Sequence, residues 1–247
     1  MSSHPQKPRV LPPDQWAHRR GEPRTFAAAW VAYLFGGVAI ALLGVGTMGL
    51  VATDVYRAAA RLMIAITFVA IWIFWPMLRL SQERPRRVVS AFAADFLLVV
   101  IPSWAIVWPQ TLAWMAAWPP EVCLGLSLLL TAWSALVAAV LTWYFGRGPI
   151  DEDPAPSRWI MMVAFVLIAC IGPALSIASG AYADKSVAID LFGMSSPVGG
   201  AMQLVADQSA AGAAASMTKE HWVFVLSLLA GSLLTWGLAV FAAREEA

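Results

Sequence analysis

Asp95 is the residue whose type and setting most invite chemistry, a lone carboxylate inside an otherwise apolar run. It lies eight residues beyond Arg87, which on a helix rising 1.5 Å per residue is about 12 Å. A carboxylate at that depth in a membrane is a candidate for proton or cation coupling, because a charge is expensive to hold in hydrocarbon. The plainer reading is that it lies near enough to the surface to pair with Arg79 or Arg84. Hydropathy places no other ionisable side chain within a span, and no second acid, His or Lys is there to relay a proton. That absence favours the ion pair.

Other residue types suggest less specific chemistry. Trp104, Trp108, Trp114 and Trp118 gather around Pro109 and Pro119, where stacking on a quinol or lipid can be imagined. A belt of amphipathic rings at the headgroup layer accounts for them more cheaply. Ser127, Thr131 and Ser134 recur on one face of a helix, and Gly37 with Ala41 makes a small-residue face. Both read as helix-packing seams before they read as a polar pathway. Cys123 and Cys170 sit in apolar stretches with no CxxC or Cys/His spacing, and His4, His18 and His221 are isolated. No metal ligand set or bis-histidine haem site follows from them. The chain also lacks a phosphate-binding GxxxxGK[ST] loop, an HExxH helix and a GxSxG elbow. The expectation is a protein that is not an enzyme and holds no cofactor or metal.

The elements that position these residues are set by composition. Hydrophobic residues make up 60% of the 247 positions and charged ones 13%, against roughly half and a quarter in soluble domains. This is membrane composition. Thirteen Arg and three Lys, spread over several loops at a net charge of +1, form no basic face for nucleic acid.

Six apolar runs follow one another: Phe26 to Ala52, Leu62 to Leu78, Val88 to Trp108, Val122 to Phe145, Trp159 to Ile177 and Trp222 to Ala242. Each approaches the roughly 20 residues that cross hydrocarbon as a helix. The expected fold is therefore all-α, a polytopic membrane protein of about six transmembrane helices. Pro102 and Pro173 fall inside the third and fifth and are expected to kink them. Residues 1–25, rich in Pro and basic side chains, are expected to be a largely disordered tail, with a short surface helix after Asp14. Residues 26–247 then form a single transmembrane domain.

Orientation follows from the basic residues. Twelve of the sixteen Lys and Arg fall in the tail, the second and fourth connections and the C-terminus. By the positive-inside rule both termini are cytoplasmic. The remaining long connection, 179–221, is then an external loop, and a loop of that length is expected to contain structure. Val187 to Val205 reads as two short helices hinged at Ser195, Ser196 and Pro197, followed by an Ala, Ser and Gly linker from Asp207 to Met217.

Six spans, cytoplasmic termini, a short surface helix before the first span and a long external loop with broken helices before the last resemble the membrane subunit of ABC-2-type exporters. In that family the external segment often carries an Asn-Pro or Ser-Pro corner followed by an apolar run. Ser196, Pro197, Ala201, Met202, Leu204 and Val205 are similar to it. The resemblance implies that the connection between spans two and three, here Ser81, Gln82, Glu83, Arg84, Pro85, Arg86 and Arg87, meets a separate ATP-binding subunit. Glu83, Arg84, Arg86 and Arg87 are the candidate contacts. It also implies a permease-like chain in a bacterial cytoplasmic (inner) membrane, working as a dimer or in a larger complex. The stretch is short for that family and contains Pro85. The alternative reading is a non-transporting accessory or scaffold subunit that packs on a larger complex through its small-residue seams.

Overall fold

The computed structural model describes residues 23–46, 53–82, 84–85, 87–147, 155–178, 191–206 and 215–245. The tail as far as residue 22, where a surface helix is expected after Asp14, lies outside them, as do Glu83, Arg86 and most of the 207–217 linker. In hydrocarbon a helix is the open-chain form that satisfies its own backbone, and the described residues hold helices and no strand. The order is α1 (Pro23–Gly46), α2 (Thr53–Val69), a π turn (Ala70–Phe74), α3 (Trp75–Leu80), α4 (Val88–Val107), a 3-10 turn (Trp108–Thr111), α5 (Pro120–Arg147), α6 (Ala155–Ala178), α7 (Leu191–Met194), α8 (Pro197–Leu204) and α9 (Lys219–Glu245). Six of the helices formed by these elements are long and apolar enough to cross a membrane. The chain is a multi-pass membrane protein.

The second span departs most from its hydropathy limits. Its helical window runs Tyr56–Leu80 rather than Leu62 to Leu78, so Arg57, Arg61 and Arg79 are helical residues within it. Asp95 is therefore not the lone ionisable group of the spans. A hydropathy sum ends a run at an arginine, whereas a helix continues through one that finds a partner.

Inside this span the helix widens for one turn, and the Trp75 N–H donates to Ala70 O, five residues back. Pro76 accounts for the position. In a continuous α-helix its ring meets the carbonyl four residues earlier, that of Trp72, and a π turn moves that carbonyl aside. Pro102 and Pro173, by contrast, lie inside the α-helices α4 and α6 with no wide turn beside them.

The bundle is organised around α5, whose apolar window is 72% buried, against 11% for α6 and 17% for α9. Leu126, Leu129, Leu130, Val137 and Leu141 of α5 are fully enclosed. Its most extensive partner is α9, and small residues permit the approach: a Cβ on Gly146 would stand 3.0 Å from Ala243 Cβ. The Gly37 face of α1 meets α2 in the same way, where a Cβ would reach Ile66 Cγ2 at 2.8 Å. Between α4 and α5, Trp104 Nε1 donates to Ser127 O at 3.2 Å and to Thr131 Oγ1 at 3.1 Å. The hydroxyl-bearing face of α5 is a packing seam there. The outward faces of α6 and α9 present Ile160, Leu167, Ile171, Leu234, Leu238 and Phe241, as hydrocarbon requires.

Candidate functional site

The span limits bring one arginine of the second span beside the carboxylate of the third. Arg79, one turn beyond Trp75 on α3, and Asp95, two turns into α4, face each other with 4% and 0% of their side chains exposed. Arg79 Nε donates to Asp95 Oδ2 at 2.5 Å, and Nη2 donates to Oδ1. This is the two-point fork of a guanidinium on a carboxylate. Trp75 Nε1 lies 3.4 Å from Oδ2, Arg79 Nη1 donates to Gln82 Oε1 at 2.7 Å, and the guanidinium carbon sits 5.1 Å over the Phe26 ring of α1. The ring face supplies further favourable electrostatics to the cation.

Asp95 is thus a locked counter-ion that joins α3 to α4. Both carboxylate oxygens accept hydrogen bonds and none of its surface reaches solvent. Of the two partners considered from the sequence, Arg79 is the one used, and it comes inward to the acid. Arg84 is occupied elsewhere, its Nη2 donating to Gly146 O at the C-terminal end of α5, where a cation also suits the helix dipole.

These contacts define one end of the bundle, here termed the basic end. Of the four candidate partner contacts, Arg87 is exposed just before α4, and Arg84 is exposed but also ties its connection to α5. Glu83 and Arg86 lie outside the described residues.

At the opposite end, Ser195, Ser196 and Pro197 form the corner between α7 and α8. Ser196 caps α8, its Oγ accepting from Gly199 N at 3.0 Å, the usual N-cap arrangement. The same hydroxyl donates to Gly193 O at 3.2 Å. Pro197, Gly200, Ala201 and Leu204 are buried, and α8 lies against α2 and α5. An amphiphilic segment of a loop has become part of the core.

Arginines of α2 hold this end together. Arg61 Nε donates to Val205 O at the C-terminal end of α8, and Arg57 Nε donates to Ala116 O in the turn between α4 and α5, both at 3.0 Å. That turn carries Ala117 at φ 51°, an uncommon conformation for a residue with a Cβ, and it directs Trp118 into the core at 1% exposure. The tryptophan cluster is therefore divided. Trp108 and Trp114, 38% and 71% exposed, suit an interfacial belt, while Trp104 and Trp118 are packing residues. His221 Nδ1 accepts from Thr218 N at 3.1 Å, a local bond at the start of α9.

Neither arginine role was legible in the sequence, where Arg57 and Arg61 counted only as charges flanking a span. Their spacing of one helical turn was the available signal. Arg61→Met should cost about 1.5–3 kcal/mol, the net worth of a hydrogen bond from a charged donor. Thermal denaturation in detergent measures it, and protease sensitivity at the α8 end should rise in parallel.

Among the described residues no three His, Cys, Asp or Glu side chains gather closely enough to hold a metal ion. Comparison with family models, with curated proteins and with solved structures returned no match.

Proposed function

We propose that this chain is the membrane-embedded, permease-like subunit of an ABC-2-type export system, driven by a separate ATP-binding subunit. The observation that carries the reading is the pair α7 and α8. A Ser-Pro corner before the last span opens a buried helix seated against α2 and α5, in the place where the resemblance to that family expects a broken external helix. The start of α1, where Phe26 meets Arg79, and the end of α9, where Ala243 meets Gly146, lie at the basic end. With that end in the bacterial cytoplasm, the α8 end faces outward and the connection 81–87 faces the ATP-binding subunit, with Arg87 exposed on it.

One observation favours the accessory or scaffold reading instead. Arg84, central to the connection, is bonded to α5, and Arg79, at its border, is buried against Asp95. Less of the charge is available to a partner than the sequence suggests.

Purification from native membranes in mild detergent decides between them. The wild-type chain is expected to bring down an ATP-binding subunit with a P-loop, and Arg86→Glu with Arg87→Glu should weaken that association at least tenfold through charge repulsion. Arg84 is left intact because its bond to α5 is structural. In a background lacking Cys123 and Cys170, Ser195→Cys should react with an impermeant thiol reagent in intact cells, and Ser81→Cys only after permeabilisation. The reverse pattern overturns the orientation. A wild-type chain that purifies without any ATP-binding subunit replaces the permease reading with the scaffold one.

A further inference from the structure

The second span is held at three heights. At the α8 end, Arg57 and Arg61 of α2 donate to Ala116 O and Val205 O. At the basic end, Arg79 of α3 grips Asp95 of α4. Between them lies the π turn, and its Trp72 is anchored separately: Nε1 donates to Phe165 O of α6 at 2.7 Å, and the ring stands edge-on to Trp133 and Phe165 at 5.0 and 5.3 Å.

A π turn holds one residue more than an α turn over the same path. It therefore sets the rotational phase between α2 and α3. Were the wide turn to relax to α while α2 stayed fixed, every residue of α3 would turn by about 100° and shift by about 1.5 Å. Arg79 and Trp75 would then leave Asp95, and Leu78 would arrive in the place of Arg79.

We infer that the π turn Ala70–Phe74 is a rotary joint between α2 and α3, and that the Arg79–Asp95 pair is the latch that selects its register. Apolar contacts are non-directional, whereas a two-point guanidinium–carboxylate bond is met in one register alone. Pro76 biases the joint toward the wide form by excluding the Trp72 carbonyl from its α position. The latch is at the basic end, beside the connection 81–87, so whatever engages that connection is mechanically coupled to the joint. The inference holds whether the chain transports or serves as a scaffold.

Hydrogen exchange of the purified full chain, resolved by peptide, is the test. In the variant carrying Arg79→Met and Asp95→Leu, the volume of the pair is retained without its directionality. Peptides covering 70–80 should then exchange at least tenfold faster than in wild type, with α5 peptides unchanged. A second variant lacks Ile73 and carries Pro76→Ala, with the latch intact. Removing one residue from a π turn leaves an α-helix with both flanks in phase, so this chain should fold and exchange at least tenfold more slowly than wild type over 70–80. Deleting Ala65 from α2 serves as a control and should lower stability, because it turns Ile66 and the buried Phe68 off their contacts even where relaxation of the joint restores the phase of α3. Failure of the Ile73 deletion to fold, or unchanged exchange over 70–80 in the pair-less variant, overturns the inference. Should the pair-less variant not fold, the Ile73 deletion decides alone.

Discussion

Asp95→Leu is expected to lower the stability of this protein by about 3–5 kcal/mol, the penalty for leaving one member of a buried ion pair without its partner. The guanidinium of Arg79 is 4% exposed, and the loss strands it between α1, α3 and α4. Asp95→Asn should be nearly as costly, because an amide can accept hydrogen bonds but leaves the charge uncompensated. An acid near the surface would tolerate the amide easily, so the Asn variant distinguishes the buried pair from a snorkelling one. Adding Arg79→Met to Asp95→Leu should recover most of the loss and bring the protein within about 1–2 kcal/mol of wild type, since apolar residues of similar volume commonly replace a buried pair at little cost. Urea or thermal denaturation in detergent measures all four chains. A double variant as unstable as the single one would mean that the pair's hydrogen bonds contribute more than its desolvation removes.

Gly199→Ala is expected to open the corner between α7 and α8. A Cβ at Gly199 would stand 2.3 Å from Gly193 O and 2.5 Å from Ser196 Oγ. The first is a backbone atom within a tight turn and cannot rotate away. The second is the hydroxyl that caps α8 through Gly199 N, so relief of the clash also breaks the cap. Overpacking of this kind costs about 1–3 kcal/mol and loss of an N-cap about 1 kcal/mol more. α8 is buried against α2 and α5, so the damage should appear as reduced melting temperature and as protease cleavage near residues 193–199. Gly231→Ala is the matched control on α9. Nothing lies within 4 Å of a Cβ there, and replacing a helical glycine by alanine should stabilise the chain by about 0.5–1 kcal/mol. Equal melting temperatures for the two variants would mean that the corner is not part of the folded core.

The sequence by itself determined the class of the protein and the number of its spans. Hydropathy summed over 20 residues measures transfer into hydrocarbon and requires no knowledge of neighbours. For the same reason Asp95 stood out and the Ser196–Pro197 corner was legible, since a lone charge and a Ser-Pro step between apolar runs are local signals. For Asp95 the sequence offered Arg79 or Arg84 and did not choose between them; the other pairings were beyond that reading. Arg79 looked like part of a charged loop because a hydropathy sum counts its charge and cannot see the carboxylate that neutralises it from another helix. Pro76 was the local sign of the π turn, but only the tertiary structure shows how the widened turn phases Trp75 and Arg79 toward α4. Arg57 and Arg61 find their carbonyls in segments 59 and 144 residues away in the chain, and Trp118 enters the core through a backbone turn at Ala117. Those pairings depend on the rotation of each helix about its axis, which the spacing of apolar residues leaves open in a span that is apolar all round and which side-chain packing against neighbouring helices decides.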